Sequence, residues 1–143
     1  MAKVCSIPCA ITHSAAVTAK QKAKVQRQER AQDKVKRESM KSRQDWLREA
    51  QTALNRWIRL VRDVGKPCIS CDRHHQGQLH SGHFLSRGAH PNLALVEENL
   101  HLQCQPCNVH LSGNQLNFRL GLIKRYGVKY VEALESDNEP RKH

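Results

Sequence analysis

The sequence predicts an α+β chain in which a long basic helix precedes a small segment of two short strands and terminal helices. Three observations carry this. Residues 20–64 contain no proline or glycine and are rich in Ala, Gln, Lys, Arg and Glu, all good helix formers. Two Cys-x-x-Cys pairs, Cys68/Cys71 and Cys104/Cys107, stand 32 residues apart, the spacing at which two knuckles close one four-thiolate zinc site. Between them, residues 79–85 and 99–103 read as short strands, the second running into the second knuckle.

Taken in order, residues 1–19 form a leader expected to be irregular, carrying Cys5 and Cys9, two thiols too few to close a tetrahedral site. Pro8, Thr12, His13 and several serines interrupt any apolar signal region, and no apolar run approaches the roughly 18–20 residues that span a bilayer. A secreted or membrane protein is therefore not expected, and a reducing cytoplasm makes the cysteine pairs metal ligands instead of disulfides.

Residues 20–65 are expected to be helical throughout. Ten Lys/Arg against three acids in residues 20–43 hold +7 of the chain's formal +11, without a sustained heptad, which describes a solvated basic helix. Such a charge attracts polyanions, DNA phosphates first among them; a merely solubilising arm is the alternative. From Trp46 onward the pattern changes. Trp46, Ala50, Ala53, Leu54, Trp57, Ile58 and Val61 recur at three- and four-residue intervals, an amphipathic face expected to pack on its own domain or on a second subunit. Base stacking by the tryptophans is a weaker alternative. Gly65 and Pro67 end the helix.

Residues 66–135 are expected to form the zinc-stapled domain. With only 38% of residues apolar and 4% aromatic, its core is small, and metal binding energy substitutes for missing hydrophobic burial. A helix from about Leu111 to Tyr126, broken by Gly127, and a last helix over residues 128–135 complete it. The polar tail 136–143 is expected to be disordered.

The interval inside the zinc site is rich in histidine, with His74, His75, His80, His83, His90 and His101 in it and His110 just beyond. A histidine on one strand, an asparagine on the next and Asn108-Val109-His110 after the last cysteine follow the order of an HNH, or ββα-metal, nuclease. In that chemistry a divalent cation, Mg2+ or Mn2+, stabilises the phosphate while a neutral histidine takes a proton from water. His83 is the expected general base, with Asn99 orienting it or bracing the adjoining loop. His80 and Asn108 are the expected ligands of the catalytic ion, with His110 in reserve; Asn108 could equally cap a helix. Arg87, Arg119 and Lys124 are the expected phosphate contacts.

The motifs Pro67-Cys68-Ile69-Ser70-Cys71, Gly82-His83-Phe84, Glu98 to Cys104, Cys107 to His110 and Ser112-Gly113-Asn114 resemble the NinG (Rap) family of lambdoid phages, and residues 46–62 fit its pattern too. The resemblance implies a metal-dependent endonuclease of the host bacterial cytoplasm that cuts branched recombination intermediates such as Holliday junctions and D-loops. Implied partners are DNA, a second copy of the chain, since resolution needs two cuts, and other phage recombination proteins. In related junction-cutting enzymes an acidic ligand stands three residues before the histidine base; here His80 occupies that place. A non-catalytic zinc module that binds DNA or a recombination partner is the competing reading, needing the cysteines and charge but not His83 or Asn108.

Overall fold

In a computed structural model that describes residues 6–141, the chain forms two units, one ending at Arg43 and one beginning at Gln44. The first contains a single helix, α1 (Ile7–Ser39), which corrects the expectation of an irregular leader from Ile7 onward. The Ser6 hydroxyl accepts the Cys9 N–H at 3.4 Å, and Pro8 sits in the first turn, where its missing donor costs nothing. Thr12, Ser14 and Thr18 turn their hydroxyls back onto carbonyls three or four residues earlier, so these polar side chains do not interrupt the helix. Cys9 lies on α1 and Cys5 lies outside the described residues. No residue of α1 is buried.

The uninterrupted helix expected to Gly65 is also corrected. After Ser39 the N–H groups of Met40 and Lys41 bond to Arg37 and Glu38, a tighter three-residue spacing, and the Ser39 hydroxyl takes the Lys36 carbonyl. A second helix, α2 (Arg43–Trp57), then runs into a π-helical turn, Ile58–Arg62.

Gln51 and Ile58 are the buried residues of this stretch, whereas Trp46, Trp57 and Val61 are 49%, 37% and 59% exposed. Of the expected amphipathic face, Ile58 is therefore buried and Leu54 partly so, while its two tryptophans and Val61 stay exposed.

Strands β1 (Leu79–His83) and β2 (Leu100–Cys104) pair antiparallel, with His80 opposite Gln103, Gly82 opposite His101 and His83 opposite Leu100. Helices α3 (Gln115–Tyr126) and α4 (Val128–Ser136) pack on this hairpin. The core is Ile69, Phe84, Phe118, Leu122, Val131 and Leu134. The expected start of α3 near Leu111 moves to Gln115. Ser112, Gly113 and Asn114 all have positive φ (48°, 91° and 46°), which no right-handed helix accommodates.

α2 joins the hairpin through a buried ion pair. The Asp63 carboxylate, fully buried, accepts from Arg62 at 2.8 Å, Lys66 at 2.8 Å and the Leu102 N–H at 3.0 Å. Burial alone would raise its pKa, but these donors outweigh it and hold the carboxyl far below the usual range. Arg62 also donates to the Leu100 carbonyl and, at 2.8 Å, to that of Glu97. After α4, Arg141 pairs with Asp137 at 2.6 Å, and Asn92 donates to the Asp137 carbonyl at 3.0 Å.

Candidate functional site

The two knuckles converge. The sulfurs of Cys68, Cys71, Cys104 and Cys107 all lie within 4.8 Å of one another, close to the roughly 3.8 Å edge of a tetrahedron with Zn–S bonds of about 2.3 Å. The first knuckle is closed by its own backbone, Asp72 N–H bonding to Cys68 O at 2.9 Å, and the Gly113 N–H reaches back to Cys107 O of the second at 3.1 Å. Burial pushes the Cys104 thiol up to about 12, and the neighbouring sulfurs reinforce this. Burial raises the Cys107 thiol too, whereas on Cys71 burial is outweighed by the His75 bond and the thiol falls to about 6. Four sulfurs this close ionise together only around a cation, which makes this donor set a fit for zinc or a similar soft metal. His75 places Nε2 3.3 Å from Cys71 Sγ, and Asn114 donates to Cys107 Sγ at 3.5 Å, so both orient the sulfurs.

The metal knuckles lock α3 in place. A Cβ on Gly121 would stand 1.8 Å from the Ile69 carbonyl oxygen, so glycine is what lets α3 lie directly on the first knuckle. Arg125 clamps the same knuckle, donating to Pro67 O at 2.9 Å and Cys68 O at 3.3 Å.

Beside this scaffold lies an open polar cleft of about 360 Å³ whose walls include His83, Arg87, Asn108, Ser112 and Gln115. Two strand ends build it: β1 delivers His83, and the turn after β2 and the second knuckle delivers Asn108. His83 Nε2 lies 3.1 Å from the Ala94 carbonyl oxygen. A carbonyl can only accept, so in the neutral ring Nε2 carries the proton and Nδ1 keeps its lone pair. Burial lowers the His83 pKa below its usual value, the Ala94 bond opposes this, and the Arg87 charge adds to the lowering. The ring is thus neutral near pH 7.

The Asn99 amide makes its hydrogen bonds elsewhere than to His83. Fully buried, its amide accepts the Leu85 N–H at 2.7 Å and donates to Leu85 O at 2.9 Å and Leu93 O at 3.1 Å. Of the two roles expected for it, the structure has the bracing one: it ties β1 to the loop whose Ala94 holds the imidazole. Ala94 itself carried no sequence signal, because it acts through its backbone.

The other expected site residues are dispersed. His80 is partly buried on β1, two residues before Gly82, and is absent from the cleft wall. His110 is exposed and also absent from it. Of the three expected phosphate contacts only Arg87 lines the cleft. Arg119 makes a two-pronged pair with Glu135 at 2.7 and 3.0 Å, and Lys124 reaches Asp72 at 2.5 Å on the face of the first knuckle. His101 is fully buried within a ring cluster with Phe118, Tyr126 and Tyr130, a structural residue. Among the described residues no helix is long and apolar enough to cross a membrane.

Comparison with known proteins agrees with the motif pattern. A family profile described as "Bacteriophage Lambda NinG protein" matches residues 1–143. The chain is 41% identical over 106 residues to Protein ninG of Salmonella phage P22, covering 74% of this chain and 52% of that protein. To Protein ninG of Escherichia phage lambda it is 40% identical over 105 residues, covering 73% and 51%. The chain thus spans about half the length of the relatives it matches. No solved structure matches it. With the family profile matched along its whole length, this chain belongs to the NinG family of phage proteins.

Proposed function

We propose that this chain is a metal-dependent DNA endonuclease of the HNH, or ββα-metal, class acting on branched recombination intermediates in the host cytoplasm. The observation that carries the reading is His83: an imidazole held by Ala94 through Nε2, with Nδ1 free to accept a proton, in an open cleft beside Arg87 and Asn108. A buried structural histidine would use both nitrogens, as His101 does between Arg62 and Glu98.

In this mechanism Arg87 holds a phosphate in the cleft by charge and hydrogen bonds. His83 Nδ1 takes a proton from a water molecule whose oxygen forms the new bond to phosphorus. The scissile P–O bond breaks, and the departing oxygen gains a proton from solvent. A bound Mg2+ or Mn2+ ion would supply charge stabilisation to the phosphate and the departing oxygen. Asn108, with its carboxamide at the cleft wall, is the residue placed to hold such an ion. Asn99 and Ala94 keep the imidazole in its productive tautomer. The zinc knuckles fix β1 against the turn bearing Asn108 and take no part in the chemistry. The solvated basic α1, about 50 Å long at 1.5 Å per residue, adds sequence-independent attraction to DNA. Two coordinated cuts on a junction call for a homodimer.

The test is a labelled four-way junction and a linear duplex incubated with the zinc-loaded protein in Mg2+, Mn2+ or chelator. Metal-dependent cuts in the junction, abolished by His83→Ala with junction binding retained, are the expected result. Full cutting by His83→Ala removes His83 from the mechanism. A junction shift without cutting under every metal replaces the nuclease with a zinc module that only binds DNA.

A further inference from the structure

A second recess adjoins the cleft. It is an open groove of about 240 Å³ between α2 and the connection from β1 to β2, with Leu47, Arg48, Gln51, Arg87, Ala94 and Leu95 in its walls. Arg87 lines both recesses. Ala94, whose carbonyl receives the His83 Nε2–H at 3.1 Å, belongs to the groove as well. A DNA strand with a phosphate against Arg87 in the cleft therefore has the groove beside the adjoining nucleotide.

The chemistry of the walls fits a nucleobase. Leu47, Ala94 and Leu95 offer apolar area to a ring face, and the exposed Arg87 guanidinium can stack on one. Gln51 is only 7% exposed and adds a carboxamide, bonded to Asn55 at 2.9 Å, a group whose donor and acceptor match the polar edge of a base. Arg48 is held by Asp45 at 3.3 Å, and no carboxylate stands in the walls themselves to repel the strand. An enclosed apolar cavity of about 150 Å³ already holds benzene, so the groove has room for a base ring. Phosphate or sugar there would set polar groups against leucine and lose hydration without return. A base in intact duplex cannot enter, because its neighbours cover its faces and its complement covers its edge. Extrusion is least costly where a base is already unpaired or poorly stacked, as at a branch point.

We propose that this groove takes a nucleobase extruded beside the scissile phosphate, and that the chain favours branched over linear DNA because that base is easier to free at a branch. The inference rests on the reading of the adjoining cleft as a hydrolytic centre. Arg87 then serves both recesses, by charge toward the phosphate and by its planar face toward the base.

The test places 2-aminopurine, a base analogue that brightens when it leaves the stack, at each nucleotide near the branch point of a four-way junction in turn. The groove walls hold no aromatic ring to quench it. The protein is the full zinc-loaded chain carrying His83→Ala, so that the DNA stays whole. Binding should brighten one position by about threefold or more over free junction, and the same position in a linear duplex should stay dark. Leu47→Trp and Leu95→Trp fill the groove from its two walls; each should remove the signal and weaken junction binding by about fivefold or more. An abasic nucleotide at the responsive position separates filling from general damage, because on that junction the filled and unfilled proteins should bind alike. A junction with no responsive position, equal brightening in linear duplex, a signal that persists in both filled variants, or a filling penalty as large on abasic as on intact junction in zinc-replete protein would each overturn the proposal. Metal-dependent cutting by the wild-type chain with no responsive base removes the groove and leaves the nuclease. A responsive base that both filled variants silence, without cutting of any DNA, removes the nuclease and leaves the groove.

Discussion

Acid should destabilise this fold chiefly through His101, and the size of the effect follows from its surroundings. The ring is buried, its Nε2–H donates to Glu98 O at 3.0 Å, and its Nδ1 faces the Arg62 guanidinium at 3.1 Å. A second proton would have to sit on Nδ1, against a cation, in a buried site. Burial first and Arg62 next depress the pKa to about 4, with Asp63 and the Glu98 carbonyl opposing. The unfolded chain accepts the proton near pH 6.5, the native one only near 4, so falling pH favours unfolding across that window. The stabilisation is complete above pH 6.5 and is lost as pH falls through about 4. The shift corresponds to about 3 kcal/mol, of which roughly 2 kcal/mol is lost between about pH 7 and pH 5. Urea unfolding of the zinc-loaded protein across this range measures it. His101→Gln keeps a donor and an acceptor but does not titrate, and should flatten the curve by that amount whatever its own stability. Asp63 does not confound the comparison: its carboxyl, held far below the usual range, loses its contribution only below about pH 4. Parallel pH dependence in wild type and His101→Gln would refute the argument.

Two further outcomes follow from the geometry. Asn99→Ala strands three backbone groups, that of Leu93 buried and the two of Leu85 partly so, and should cost roughly 1–3 kcal/mol by urea unfolding; because Ala94 then loses its brace, cutting under saturating DNA should fall well below wild type while zinc content is retained. Stability loss with unchanged turnover would show that the loop does not hold His83. Gly121→Ala brings a Cβ within 1.8 Å of a backbone oxygen of the first knuckle, so α3 must move; a destabilisation of about 1–3 kcal/mol and faster zinc loss to a chelator are expected, and a neutral variant would contradict the close approach.

What the sequence determined by itself was chemical. Cys-x-x-Cys pairs announce a thiolate metal site because two sulfurs on one short turn have few other uses, and the short strands and final helices were legible from local pattern. Charge located the basic helix. The helix start at Ile7 was missed because Ser6 and Pro8 act as a cap, and the break near Met40 because no single residue there forbids a helix. The amphipathic face from Trp46 to Val61 buries Ile58 but not its tryptophans, because burial depends on which part of the face meets the hairpin. Tertiary structure alone decided the site. It brought His83 and Asn108 to one cleft from opposite ends of the hairpin, left His80 and His110 off its wall, and bound Arg119 and Lys124 to acids on other faces. It also assigned the imidazole's proton through a backbone carbonyl of Ala94. Those relations are distances between residues remote in sequence and hydrogen bonds to the main chain, neither of which is written in residue identity or spacing.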